Sequence, residues 1–476
     1  MQRRLRLAYL LSDTLASALA WTAFFLFRKL TIAPIATDLP ISTQIFSDTH
    51  YWIGLPLVVA CWIAFYVLMG TYRDVLHKSR LKELIETLVS TLIGCILLFF
   101  ALIIDDTITS YRSYYAAFLF LFAAQFILVY IPRLFITSHT VHRVHSRRLG
   151  FPTLLIGSGP RALQTYLGIE NQEVYSGNLF LGYVQPTADS VPHPSPLESI
   201  MPCLGTVEDI PTLIEQYQLQ EVIIALDDDQ QHFTSSILIP LLSEGKLIIK
   251  LNPSGQPFPL NFIHQQSIFH SPLLTISPRT MPEWQYSIKR IADISLSLLA
   301  MLVLSPVYLI TALIVKFTSP GPILYAQERI GLHGKPFRMH KFRSMYVDAE
   351  QSGPALASDD DPRITPFGRF MRKVRLDELP QFYNVLRGTM SLVGPRPERQ
   401  FYIDQIVRIA PEYRLLHRVK PGITSWGQVK YGYASTVDQM VERLRYDLLY
   451  LDNMTLLTDL KILIYTIIIV VEGRGK

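Results

Sequence analysis

Four stretches in the first third of the chain are almost uninterruptedly apolar: Leu5–Phe27, Tyr51–Met69, Leu84–Ile104 and Tyr114–Pro132. Each is close to the ~20 residues that a helix needs to cross a bilayer, so the pattern predicts four membrane spans. The first is too long and too weakly punctuated for a cleaved signal peptide. Beyond residue 140 the pattern changes. Short apolar runs within "TLLIGSGPRA" (Thr153–Ala162), "NLFLGYVQP" (Asn178–Pro186), "EVIIALDDD" (Glu221–Asp229) and "LIIKL" (Leu247–Leu251) alternate with helical stretches such as Val207–Tyr217. That alternation predicts a small parallel α/β sheet. A fifth long apolar segment, Ile291–Val315, has Asp293 as its only charge, and Ser305-Pro306 interrupts it near the middle. The last run, Leu460–Val471, is too short to span and is expected to lie at an interface or pack on the soluble part.

Charge gives these segments a direction. Arg3, Arg4 and Arg6 precede the first span; Arg73, Lys78, Arg80 and Lys82 lie between the second and third; Arg133, Arg143, Arg147 and Arg148 follow the fourth. The other two loops carry Asp38, Asp48, Asp105 and Asp106 against Arg28, Lys29 and Arg112. The positive-inside rule therefore puts both ends of the bundle in the cytoplasm. Asp13, inside the first span, reads either as a functional group or as a residue facing a neighbouring helix, and the second reading is favoured. The 476 residues are 49% hydrophobic and only 17% charged, too apolar for an ordinary cytosolic enzyme. A net charge of +5 is too small to indicate nucleic-acid binding. Cys61, Cys95 and Cys203 form no CxxC or Cys/His spacing, which predicts neither a disulfide framework nor a zinc site.

The turn around Gly157 and Gly159 fits the G-x-G-x-x-A pattern of dinucleotide sites. That pattern also asks for an acid near the end of the second strand, and the chain offers Gln185 there. A Rossmann-like domain with a structural or regulatory role is therefore preferred to one that binds a dinucleotide. In the fifth segment, Lys289 and Arg290 stand at one end and Lys316 at the other. A full span would carry the rest of the chain, with the basic stretch Arg329–Arg375, to the outside. A re-entrant helix, 288–316, broken at Ser305-Pro306, avoids this.

Between Gln327 and Lys430 a cation repeatedly sits beside glycine or proline, in "QERIGLHGKPF", "KFRSM", "DPRITPFGRFMRKVR" and "GPRPE". Glycines permit close backbone approach and prolines hold arginine forks in place, which suits phosphate oxygens. No stripe of aromatics accompanies them, so nucleic acid is not expected. For any single arginine a surface charge or carboxylate partner is the preferred reading; as a set the preference reverses, and Arg329, Lys341, Arg343, Arg372 and Arg396, with Gln327 beside them, are candidates for a phosphate cradle. Asp377-Glu378 comes just before "LPQFYNVLRG", where Pro380 fits only a first helical turn. A helix N-terminus favours ionised carboxylates and incoming phosphate alike. Adjacent helical residues diverge by about 100°, so the pair is expected to divide two roles: one acid as nucleophile or metal ligand, the other as its brace. A simple N-cap role for Asp377 would explain one acid but not its cationic surroundings.

From Trp284 onward, "KRIADISLSLLAMLVLSP", "QERIGLHGKPFRMHKFRSM", "DPRITPFGRFMRKVRLDELPQFYNVLRGTMSLVGPRPE" and "KPGITSWGQV" occur in the order that resembles the bacterial sugar transferase family of polyprenyl-phosphate hexose-1-phosphate transferases. The resemblance implies a membrane protein with a four-helix transmembrane domain (1–140), a cytosolic Rossmann-like α/β domain (141–275) and a C-terminal catalytic α/β domain (276–476) containing the re-entrant helix. It implies transfer of a hexose 1-phosphate from a UDP-sugar to undecaprenyl phosphate with release of UMP, at the cytosolic face of a bacterial inner membrane, in exopolysaccharide, capsule or O-antigen synthesis. By the same resemblance Asp377 is the nucleophile and contacts Mg²⁺, and Glu378 supports it. Arg372 and Arg396 clamp phosphate, followed by Lys341 and Arg343; Lys289-Arg290 and Ser305-Pro306 are the membrane anchor and the break. A homodimer is expected, and the sugar is expected to be glucose or galactose. Two alternatives stay open. A membrane-anchored nucleotide-sugar-modifying enzyme should show a complete cofactor fingerprint and a Tyr-x-x-x-Lys pair, which residues 150–270 lack. A non-catalytic assembly scaffold would leave the Asp-Glu pair unexplained. The spaced Asp motif of CDP-alcohol transferases is absent.

Overall fold

The computed structural model describes residues 2–32, 48–73, 75–103, 111–172, 175–186, 195–245, 247–252, 273–276, 280–347, 349, 361–432 and 434–471. Asp38, Asp105 and Asp106 lie outside them. The chain divides into two compact units, Met1–Leu149 and Gly150–Lys476.

The first unit contains α1 (Gln2–Phe27), α2 (Thr49–Leu68), α3 (Arg80–Ile103) and α4 (Tyr111–His145). Among the described residues these helices account for four segments long and apolar enough to cross a membrane. Lipid tails are as apolar as leucine, so such helices associate through close packing and polar contacts. Both occur here. Gly54 and Gly94 lie against the rings of Trp21 and Trp62, where an added Cβ would stand 2.5 Å and 2.3 Å from the nearest ring carbon. Asp13 on α1 faces its neighbours: Arg133 of α4 donates to it from Nε at 2.9 Å and Nη2 at 2.8 Å, and Tyr72 donates at 2.7 Å. The third Arg133 nitrogen donates to Thr87 at 3.1 Å and lies 3.7 Å from Glu83. Lys78 pairs with Glu83 at 3.1 Å, and the Arg133 guanidinium lies over the Tyr66 ring at 4.4 Å. Pro132 does not end α4, which continues to His145 and delivers Arg133 to this cluster.

The second unit begins with a six-stranded sheet built from β1 (Phe151–Ile156), β2 (Asn178–Gln185), β3 (Cys203–Thr206), β4 (Glu221–Ile224), β5 (Ile248–Leu251) and β6 (Leu274–Ile276). The strand order is β3-β2-β1-β4-β5-β6, parallel throughout except for the β5–β6 pair. Strands buried on both faces read as near-continuous apolar runs, as in Leu154–Ile156 of β1 and Val222–Ile224 of β4. Helices α5 (Pro160–Glu170), α6 (Ile210–Tyr217) and α7 (Thr234–Glu244) complete this layer.

Next come α8 (Glu283–Val303) and α9 (Ser305–Thr318), bent by 63° at Leu304. Proline fits the first turn of α9, where its missing N–H costs nothing, but it cannot continue α8. The buried residues of α8 are Ser287, Lys289, Asp293 and Ser297, while Ile288, Ile291, Ile294 and Leu298 are exposed. The remaining elements are β7 (Leu324–Ile330), β8 (Pro336–Phe342), α10 (Pro366–Lys373), α11 (Gln381–Arg387), β9 (Ser391–Val393), α12 (Gln400–Ile409), β10 (Gly422–Thr424), α13 (Trp426–Lys430), α14 (Val437–Asp452) and α15 (Leu456–Val471). One hydrophobic core runs from the sheet layer, through Ile237, Leu241 and Ile249, into this region at Ile330, Leu416 and Tyr450.

Candidate active site

The site is assembled from four pieces of chain. The antiparallel hairpin β7–β8 pairs Tyr325 with Lys341 and Gln327 with Met339. Alternation along a strand sends Tyr325, Gln327 and Arg329 to one face. Helix α10, capped by the Thr365 hydroxyl accepting from the Gly368 N–H at 2.9 Å, carries Arg372. Gly368 is required there, because a Cβ would meet the Ser344 carbonyl oxygen at 2.0 Å. Arg375 then adopts a left-handed conformation (φ 58°) and turns the chain into the single 3-10 turn Leu376–Glu378. The Asp-Glu pair therefore lies just upstream of α11, whose N-cap is Pro380. The fourth piece, Gly394–Glu398, follows β9 and presents Arg396.

These pieces enclose a cavity of about 400 Å³, within the range of small-molecule sites. Gln327, Arg329, Lys341, Arg343, Arg372, Asp377 and Arg396, all singled out from the sequence, line it together. Arg363, Arg399 and Arg443 line it as well. Eight cationic side chains and two carboxylates, Asp377 and Glu398, thus face one space. Such a lining suits a multiply charged anion.

The carboxylates differ sharply in their partners. Glu378 lies against Arg396 at 3.3 Å and against Lys341 and Arg375 at 3.6 Å each. Burial alone would raise its pKa, but Arg396, Lys341 and Arg375 prevail and hold it down, at about 2. Asp377 is 7% exposed, and no hydrogen bond or ion pair among the described residues holds its oxygens. Burial raises its pKa to about 6, against the attraction of Lys341. Glu398 is taken up by Arg329 at 3.0 Å and Arg443 at 2.9 Å, which keep its pKa low despite its burial. The pair thus divides into a fully engaged acid and a more basic one free to meet a ligand.

Not every candidate is equally available. The Arg343 guanidinium is buried and donates to the Ser319 and Pro320 carbonyls at 2.6 Å and 2.8 Å, so it ties β8 to the end of α9. Lys289 donates to the Val393 carbonyl at 2.9 Å and pairs with Asp459, and Arg290 donates to the Val385 and Leu386 carbonyls at 2.7 Å and 2.9 Å. Both therefore fasten α8 to the site's scaffold. Arg363 stands in the basic stretch already noted, and Arg399 directly follows "GPRPE"; neither is singled out by the sequence pattern. Arg443 lies on an amphipathic helix far along the chain, and only its tertiary contact with Glu398 reveals it.

Gly157 and Gly159 lie at the carboxyl edge of the sheet. Gly157 has φ 131°, and a Cβ there would lie 2.3 Å from the Ala225 carbonyl oxygen. At Gly159 an added Cβ would collide with the Asp227 carboxylate, which accepts from the Arg161 N–H at 3.0 Å. The first turn of α5, where a pyrophosphate sits in dinucleotide folds, is thus occupied by the chain's own acid. Asp228 adds a second negative charge, paired with Arg161 at 2.8 Å.

Residues 284–473 match the family described as Bacterial sugar transferase. Over 188 residues the chain is 44% identical to the UDP-N-acetylgalactosamine-undecaprenyl-phosphate N-acetylgalactosaminephosphotransferase of Aeromonas hydrophila, covering 40% of this chain and 44% of that one. It is 35% identical over 272 residues to the UDP-glucose:undecaprenyl-phosphate glucose-1-phosphate transferase of Xanthomonas campestris pv. campestris, covering 56% of each. A protein of the same name from Caulobacter vibrioides is 40% identical over 181 residues, which cover 38% of this chain and 68% of the relative. The first two matches thus span about half the length of those relatives.

Proposed function

We propose that this chain, which belongs to the bacterial sugar transferase family, transfers a hexose 1-phosphate from a UDP-sugar to undecaprenyl phosphate. The observation that carries the reading is Asp377: a buried carboxylate with no partner among the described residues, facing a cavity lined by eight cations. In the first step an Asp377 oxygen attacks the phosphorus that bears the sugar. The bond from that phosphorus to the oxygen of the UMP phosphate breaks, and UMP leaves with the electron pair. In the second step a phosphate oxygen of undecaprenyl phosphate attacks the same phosphorus and releases Asp377. Fixed cations stabilise the charge that builds on the transferring and leaving oxygens. Arg372 and Arg396 are assigned to that role, with Lys341, Gln327 and Arg329 beside them. Glu378 orients Lys341 and Arg396 and stays ionised throughout.

Mg²⁺ fits this set of residues in one way. The described residues include no group of three or more His, Cys, Asp or Glu arranged to hold a metal ion. Mg²⁺ usually keeps several waters and binds through one or two carboxylates plus substrate phosphates, and Asp377 would supply the carboxylate. When bound, the ion would neutralise diphosphate charge and ease departure of UMP.

The bent α8–α9 pair is read as re-entrant, its apolar outer face in lipid and its polar face on the catalytic scaffold. The basic loops support reading that scaffold as lying on the cytosolic side of the inner membrane. The donor is a UDP-linked glucose or galactose, or an N-acetyl form such as the Aeromonas relative's name specifies. The product would begin an exopolysaccharide, capsule or O-antigen chain, and the enzyme is read as a homodimer.

The test is UMP release from a panel of UDP-sugars by the purified protein in nanodiscs, with Mg²⁺ and undecaprenyl phosphate, alongside Asp377→Asn. Sugar-selective UMP release that vanishes in the variant is expected. Release of UDP instead, or equal activity in the variant, would overturn the assignment.

A further inference from the structure

We propose that the sheet layer holds the catalytic hairpin in position through a socket at Gly245, which receives the ring of His333. The inference rests on the reaction above for its meaning and on packing for its support. His333 sits in the tight turn Leu332–Gly334 that joins β7 to β8, with φ 56°, a left-handed conformation uncommon for a residue with a side chain, though histidine adopts it more readily than most. The surroundings are visible. The His333 Nδ1 lies 3.3 Å from the Ser243 carbonyl oxygen in the last turn of α7. Gly245 ends that helix in a left-handed conformation (φ 63°), and an added Cβ there would stand 2.2 Å from Cε1 and 2.6 Å from Nδ1 of the His333 ring. The 3-10 segment Pro411–Arg418 packs on both α7 and the hairpin turn. The tip is thus held between two elements, one of them belonging to the sheet layer.

The other end of the same hairpin carries the chemistry. Gln327 and Lys341 stand roughly 20 Å from the turn at about 3.3 Å per residue. A two-stranded ribbon has little stability of its own, so its direction is set by what grips it. Along its length it is held by the Ile330 N–H donating to the Glu398 carbonyl at 3.0 Å and by Asn384 accepting from the His340 N–H at 3.0 Å. Pushing the tip away strains the ribbon against those holds and disturbs the alignment of Arg329 and Lys341 with the cavity. His333 and Gly245 are therefore positioning residues for Lys341 and Arg329, and the sheet layer contributes to the reaction through α7.

The experiment compares the full-length wild type with Gly245→Ala, His333→Gly and the double variant in nanodiscs, by UMP release and by hydrogen exchange over 324–342. Gly245→Ala is expected to lower turnover about tenfold, with the KM for the UDP-sugar within about twofold of wild type, since a misplacement on the order of 1 Å can cost up to about 10²-fold and the hairpin's other holds absorb part of the shift. Exchange over 336–342 rises with it. Adding His333→Gly removes the ring that the new methyl group strikes, and it should return both readouts to the level of His333→Gly alone. Wild-type turnover in Gly245→Ala would overturn the proposal. So would a double variant slower than His333→Gly alone, because the loss would then come from backbone strain at 245. If no UDP-sugar yields UMP from the wild type, the reaction assignment falls, while the exchange comparison still decides the socket.

Discussion

The helix bundle and the cavity each bury arginines among carboxylates, and they do so to opposite ends. In the bundle Arg133 and Lys78 meet Asp13 and Glu83, and every Arg133 nitrogen has a partner. In the cavity eight cations face Asp377 and Glu398; Glu398 is spoken for by Arg329 and Arg443, Lys341 and Arg396 also meet Glu378, and Arg363 meets Asp361, which still leaves cations in excess. A balanced cluster offers nothing to a ligand and fixes how helices meet; an unbalanced one is incomplete until an anion arrives. Residue types alone do not separate the two cases. What separates them is the ratio of charges and the commitment of each group.

Four experiments test this contrast. The largest effect is expected for Asp377→Asn: at least about 10³-fold loss of UMP release, as for removal of a nucleophile, with the protein still folded by thermal unfolding. Retained activity would mean that the unpartnered acid is not the reacting one. Next, Arg133→Met should cost about 3–5 kcal/mol, because it strands Asp13 without its counter-ion, while Asp13→Leu with Arg133→Met should recover most of that loss. Reversible unfolding in detergent measures both, and a double variant no better than the single would show that the bundle needs its charges as such. Third, Arg396→Met should lower kcat/KM about 10²-fold, as for the loss of one charge-stabilising donor. Its stability should stay nearly unchanged, since Lys341 and Arg375 remain on Glu378. A loss of stability without loss of activity would make Arg396 a structural partner like Arg133.

The smallest effect is a pH dependence. Asp377 has a raised pKa in the folded protein, about 6 against an ordinary 3.8, so the folded state binds its proton more tightly than the unfolded one. Its contribution to stability is complete below pH ~3.8 and is lost as pH rises through ~6. Asp377→Asn should therefore melt a few degrees above wild type at pH 7.5 and level with it near pH 4. Glu378 has the opposite sign: its lowered pKa contributes stability above ~4.5 that is lost as pH falls toward ~2. An unchanged melting gap across that range would remove the distinction drawn between the two acids.

Much of this was legible in the chain. Apolar runs located α1, α2 and α3 within a few residues, because a span's composition leaves little room for another reading. The fourth helix runs well past Pro132, and its charged continuation could not be seen by counting apolar residues. In the sheet, β1, β2, β4 and β5 were readable as buried runs, whereas β3 and β6 are short edge strands with weak patterns. The "EVIIALDDD" run leaves the sheet at Ile224, and Asp227 turns back onto α5. At the site, glycine-flanked cations and the Asp-Glu pair pointed to one place, and the cavity gathers them. Sequence could not tell that Arg343 spends its donors on two carbonyls, or that Arg443 arrives from α14, since both follow from how distant elements meet.

The glycine turn at 157–159 holds a lesson for pattern reading. Gly157 is required by the Ala225 carbonyl and its φ of 131°, and Gly159 leaves room for the Asp227 carboxylate. A nucleotide is not needed to account for either. Packing accounts for the glycines of this turn, and the acid two residues beyond Ala225 lies over the first turn of α5 and accepts from its Arg161 N–H.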